Sequence, residues 1–148
     1  MAGGISDAYE KILLDKLFSS ADFTPPATLY FALLTDTNTS IQRAAGTVTE
    51  VATGVWTNYA RIGQTNNATN FAAATGVTAS KTNATAVAFG TAAITGTAPV
   101  VTAIAVYSAL TAGTLVSVFP LTASQTINNG NVVSVAVGAW TLTISETA

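Results

Sequence analysis

Gln125–Ile144, QTINNGNVVSVAVGAWTLTI, carries the clearest strand pattern in the chain. Val133, Val135 and Val137 alternate with Ser134 and Ala136, the period of a half-buried strand. Then the parity reverses, and Trp140, Leu142 and Ile144 alternate with Thr141 and Thr143. A continuous strand cannot change faces in this way, because a slip of one residue turns every side chain over. Gly138–Ala139 is therefore predicted as a β-bulge or a sharp corner between two strands. Upstream, Asn128-Asn129-Gly130-Asn131 has Asn-Gly at its centre, a strong short-range hairpin signal.

Working outward, the other strand candidates are Thr28–Thr35, Val55–Ile62, Val77–Ala79, Ala84–Phe89, Val100–Tyr107 and Thr114–Leu121. Thr28–Thr35 and Val100–Tyr107 are apolar at both parities, which predicts central strands. In Val55–Ile62, Trp56, Ala60 and Ile62 share one face, with Tyr59 and Arg61 on the other. Lys81–Asn83 is predicted as a turn, and Pro120 as the end or an edge of its strand. About eight short strands with no βα alternation predict a mainly β, antiparallel sandwich or jelly-roll-like barrel. The whole chain, 1–148, is expected to form one β-rich domain, with the sandwich over 28–144.

One helix precedes the strands, over residues 5–19. Ser6 can cap it, and Asp7 and Glu10 suit the positive end of its dipole. Ile5, Tyr9, Ile12, Leu13 and Leu17 recur at helical spacing, and Leu14 and Phe18 widen the stripe. That stripe can pack on its own sheet or dock on a neighbouring subunit. Pro25 and Pro26 end any helical continuation.

The composition limits the chemistry. The chain has 148 residues with no Cys and no His, so thiolates and imidazoles are absent as nucleophiles, bases or metal ligands. Charged residues are 8%, against a usual ~25%, and mean hydropathy is +0.48. A net charge of −2 without a basic cluster argues against nucleic-acid binding. No apolar run approaches a membrane helix, and the acidic N-terminus is unlike a signal peptide. The expectation is a chain that is intracellular when made, or that leaves by a route other than a standard signal, with no membrane partner. A surface so poor in charge is expected to be covered by other subunits or a larger particle. A stable domain with a neutral Thr/Asn surface remains the alternative.

No nucleophile elbow, phosphate loop or dinucleotide fingerprint is present, and neither enzyme activity nor a cofactor is expected. Asp36 or Glu50 could contribute to a calcium site, but solvated loop acids are the commoner case. Trp56, Tyr59, Tyr107 and Trp140 could form a sugar-stacking platform, although aromatics at strand spacing are more often core. Asp36–Gly54, rich in Thr, Asn, Ser and Ala, is a candidate contact arm. The residues proposed for partner contact are Ile12, Leu13 and Leu17 on the helix, and Asp36, Thr37, Asn38, Gln42 and Arg43 on this arm.

The ordered segments resemble a known family. An amphipathic helix leads into PPATLYFALLT, TEVATGVWTNYARI, ATNFAAATG, TNATAVAFGTA, VVTAIAVYSALTAGTLVSVFPLT and INNGN…VAVGAWTLTIS. This order is similar to small virion proteins of tailed bacteriophages, labelled tail fibre or head decoration (cement) proteins. The chain departs from the family's usual pattern at Asn131 and at Tyr107-Ser108. The resemblance implies a non-enzymatic virion component and a homo-oligomer, trimer rather than dimer. Because the chain has neither heptads nor β-helix repeats for a shaft, capsid decoration is the first expectation. The major capsid protein would be its partner and the outer surface of the head its place, after synthesis in the host cytoplasm. The alternative is a tail fibre or tail-tip subunit acting in host adsorption, with tail proteins as partners. A non-viral β-filament is the third reading.

Overall fold

A computed structural model describes residues 4–19, 22, 24–36, 48–75 and 79–143. In chain order the elements are β1 (Gly4–Ile5), α1 (Asp7–Phe18), β2 (Thr28–Leu34), β3 (Ile62–Thr65), β4 (Ser80–Thr82), β5 (Val87–Thr91), β6 (Val100–Tyr107), β7 (Leu115–Thr126), β8 (Val132–Val135) and β9 (Thr141–Thr143). The protein is mainly β, with every described ladder antiparallel. A five-stranded sheet runs β1-β7-β6-β2-β3, and two ribbons, β4-β9 and β5-β8, complete the strands.

The doubly apolar segments take the central places. Phe31 sits opposite Val106, and Leu33 opposite Ile104; these four share one face. Ala32, Leu34, Ala103 and Ala105 form the other face and are fully buried. The first face meets the ribbons and α1 in the larger core. There Trp140 stands edge-on to Phe31 and Phe71, with centroids 5.8 and 6.0 Å away. Each such aromatic contributes roughly 1.5–3 kcal/mol by leaving water.

The parity reversal at Gly138 is a corner. Ala139 N–H donates to Ala136 O at 3.1 Å, and Gly138 has φ +73°, closing a turn that needs a left-handed third residue. The chain thereby leaves the β5-β8 ribbon and enters β4-β9. Val135 and Trp140 point inward, whereas Val137, expected inward, is 62% exposed at the corner tip.

The Asn-Gly turn forms without a hairpin. Asn131 N–H donates to Asn128 O, and Gly130 has φ +82°, but Asn129 is not left-handed. A tight hairpin turn of the Asn-Gly type needs positive φ at both central residues. This turn instead hands the chain from β7 to β8, which pairs with β5. It is held by Gly130 N–H to Ala92 O and Ala92 N–H to Asn131 O, both 2.8 Å.

Val55–Ile62 is not a strand. Trp56 and Tyr59 N–H groups donate to Ala52 O and Trp56 O in successive turns; apart from an isolated bridge between Trp56 and Ile94, ladder pairing begins at Ile62. Trp56 and Tyr59, expected on opposite faces, enter the same core with ring centroids 5.5 Å apart. Ala60 is exposed. Lys81–Asn83 is likewise no simple turn, since Lys81 and Thr82 pair with Leu142 and Thr141. Of Val77–Ala79, residues 77 and 78 lie outside the described residues. Pro120 ends the regular β6-β7 ladder, opposite Ala103; the register then shifts so that Gln125 faces Val101. The missing proline N–H is tolerated there because β1 pairs only with Ser117 and Val118.

Candidate functional site

Ser6 fixes α1 to the sheet. Its Oγ accepts Tyr9 N–H at 3.3 Å as the helix cap and donates to Leu115 O, while Ser6 N–H donates to Val116 O at 2.8 Å. Thus anchored, the helix turns Tyr9, Ile12 and Leu13 toward the core. Its apolar stripe is too wide for one face. Leu14, Leu17 and Phe18 are left 55%, 72% and 83% exposed. Ile12 and Leu13, proposed for partner contact, are engaged within the molecule. Leu17 is free, and Leu14 and Phe18 join it at helical spacing as one apolar strip.

The arm is fastened where it returns to the sheet. Asp36 carboxylate accepts Thr49 N–H, and its carbonyl accepts the Thr102 hydroxyl. Thr35 N–H donates to Thr49 O and Val51 N–H to Leu33 O, both 3.0 Å. Val51 is buried and anchors the return leg to the core, whereas Thr49 and Ala52–Gly54 are exposed. Thr37, Asn38, Gln42 and Arg43 lie outside the described residues.

Glu50 on that return leg meets Arg61. Arg61 donates Nε–H and Nη2–H to Glu50 Oε2 at 3.0 and 2.5 Å. Its Nη1 donates to Ala109 O and Ala112 O at 3.0 and 2.7 Å, holding the β6–β7 turn. Tyr59 hydroxyl donates to Glu50 Oε1 and accepts Leu33 N–H at 2.8 Å. Burial raises the Tyr59 hydroxyl's pKa, and the Glu50 charge adds to the rise. Tyr107 is raised by the same two influences, in the same order. Every contact of this cluster holds one part of the fold to another. It is a clasp whose hydrogen bonds tie parts of the fold together.

A second hub is Asn83, 1% exposed. Its Oδ1 accepts Trp140 N–H at 3.0 Å, and its Nδ2 donates to Thr85 O and Ala136 O at 2.9 and 2.8 Å. The sequence places Asn83 only in a predicted turn, because Ala136 and Trp140 reach it across a corner that only tertiary folding creates.

The four aromatics considered for sugar stacking are buried: Trp56 0%, Tyr59 9%, Tyr107 7% and Trp140 4% exposed. They offer no exposed ring faces and serve the core and the clasp. Among the described residues, no three acidic side chains come together to hold a metal ion. Among the described residues, no helix is long and apolar enough to cross a membrane.

These features define a β-rich structural module whose polar clusters join parts of its own fold and whose helix leaves an apolar strip exposed. A family model described as Gp80, podophage GP4 fiber I protein gp80, matches residues 4–143. The chain belongs to this family, and it is a phage virion structural protein. No curated protein matches it.

Proposed function

We propose that the chain is a structural subunit of a phage tail fibre, a compact unit set among other fibre parts rather than a shaft. The family description supports this reading because it names a fibre protein and matches residues 4–143. The absence of shaft repeats is the sequence's argument for capsid decoration. That reason loses force once a fibre includes folded connecting or terminal units. The burial of all four candidate stacking aromatics favours an assembly role over sugar recognition.

In this reading the subunit assembles with copies of itself through the Leu14, Leu17 and Phe18 strip. Burying three large apolar side chains removes about 1.5–3 kcal/mol of unfavourable hydration apiece, and the low charge density allows close neutral contact. Separating purified virions into heads and tails, then probing each with an antibody to this chain, tests the location. The signal is expected with the tails; recovery with heads alone would contradict it.

A further inference from the structure

We propose that Asn129 is a deamidation site held closed by the fold: it reacts when the turn at 128–131 lifts from residues 92–94, and the reaction makes that opening permanent. Asn129-Gly130 is the one Asn-Gly pair in the chain. Asparagine is a thermally labile side chain, and a following glycine presents its backbone nitrogen with no side chain to shield it. In the reaction the Gly130 nitrogen loses its proton and attacks the carbonyl carbon of the Asn129 side chain. The new N–C bond closes a cyclic imide. The bond to Nδ2 breaks, and the leaving nitrogen takes up the proton and departs as ammonia. Water then opens the imide at either carbonyl, giving aspartate, or isoaspartate with the backbone rerouted through the former side chain. The sum is asparagine plus water to aspartate or isoaspartate plus ammonia, and nothing is oxidised or reduced.

Burial does not protect the pair. Asn129 and Gly130 are both exposed, and a Cβ on Gly130 would meet nothing within 4 Å. Hydrogen bonds protect it instead. Gly130 N–H donates to Ala92 O at 2.8 Å, so the proton that must leave is held against a carbonyl. Asn129 Oδ1 accepts Ile94 N–H at 3.0 Å, which pins the side-chain amide to the same segment. Ala92 N–H donates to Asn131 O, and Asn131 Oδ1 accepts Asn128 N–H, both at 2.8 Å, closing the turn around the pair. Attack requires Gly130 N–H to leave Ala92 and the Asn129 amide to swing free of Ile94. A local opening of the turn releases both while the central sheet stays formed. Isoaspartate then adds a backbone carbon between positions 129 and 130. That displaces Gly130 N–H and Asn131 O from Ala92, just before β8 begins its pairing at Val132 with Thr91. An opened turn that has reacted no longer fits its dock.

The test incubates the full-length protein at mildly alkaline pH, folded and in denaturing guanidinium chloride, and follows aspartate and isoaspartate at position 129 by peptide mass spectrometry. The folded chain should react about tenfold or more slowly. Asn131→Ala leaves the reacting pair intact and removes the acceptor of Asn128 N–H. Folded, it should deamidate about threefold or more faster than wild type; in denaturant the two should react alike. In wild type at rising sub-denaturing guanidinium, deamidation should increase in step with amide exchange at Gly130 and ahead of exchange in β6. That arm stands even where Asn131→Ala does not fold. Equal rates in folded and denatured wild type would overturn the proposal. So would a folded Asn131→Ala no faster than wild type, or deamidation that follows β6 exchange rather than Gly130.

Discussion

The Arg61 guanidinium lies 3.5 Å from the centre of the Tyr107 ring while it also binds the Glu50 carboxylate. One cation thus joins the arm's return leg, the turn-rich segment before β3 and the β6–β7 turn. Arg61 and Glu50 side chains are 12% and 24% exposed, so the pair is partly shielded from solvent. Replacing Arg61 by Ala leaves Glu50 without its cation and two backbone carbonyls without donors. A loss of about 2–3 kcal/mol is expected in chemical denaturation. Arg61→Lys keeps the charge but not the fork, and should recover only part of that loss. Wild-type stability in Arg61→Ala would show that the clasp is incidental.

Asn83 is expected to be the most sensitive polar position in the ribbon layer. Asn83→Ala strands the Trp140 N–H and removes the donors to Thr85 O and Ala136 O. The predicted cost is about 2–4 kcal/mol by thermal or urea unfolding. Asn83→Asp keeps the acceptor and loses both donors, so it should also be destabilised. Tolerance of both substitutions would remove Asn83 from its role at the corner.

The clasp also predicts an alkaline weakness. Tyr59 has its pKa raised above the ordinary 10.0, chiefly by burial. A raised group stays neutral in the fold where the unfolded chain would ionise. Its contribution is complete below about pH 10 and declines as pH rises toward the folded-state value. Stability should therefore fall above pH 10. Tyr59→Phe should lose about 1 kcal/mol at neutral pH through the Leu33 N–H, yet fall less steeply at high pH. Tyr9 and Tyr107 are shifted the same way, so some slope persists. Parallel curves for the two proteins would contradict the assignment to Tyr59.

The helix strip separates folding from assembly. Leu17→Asp and Phe18→Asp change exposed positions and should alter unfolding by no more than about 0.5 kcal/mol. They are nevertheless expected to shift an oligomer toward monomer in sedimentation. Leu13→Asp, by contrast, should destabilise the fold itself, because Leu13 packs on the core. Unchanged sedimentation of the first two variants would exclude the strip as the contact.

Much of the fold was legible where local and global patterns agree. Ser6 and its following acids announce the helix, and the double apolar parity of Thr28–Leu34 and Val100–Tyr107 announces central strands. The Gly138 parity change announces a corner. What escaped depended on distant partners. Trp56 and Tyr59 read as strand residues because both are bulky and apolar, yet their three-residue spacing serves a turn. Ser80–Thr82 carries no strand pattern and becomes a strand only because Thr141–Thr143 lies beside it. Asn129-Gly130 specified a turn but not its destination. The candidate contact surface was half legible: the helical stripe was visible, but its division between core and solvent is set by the Ser6 anchor and the sheet below.

The central claim is that this chain is a fibre subunit, and a reconstruction of the intact virion by electron cryomicroscopy tests it most directly. The account predicts that this fold, with its nine strands among the described residues, will be found in tail-fibre density, with Leu14, Leu17 and Phe18 against a neighbouring copy. The same fold seated on the head lattice, or a fibre position with that strip facing solvent, would contradict it.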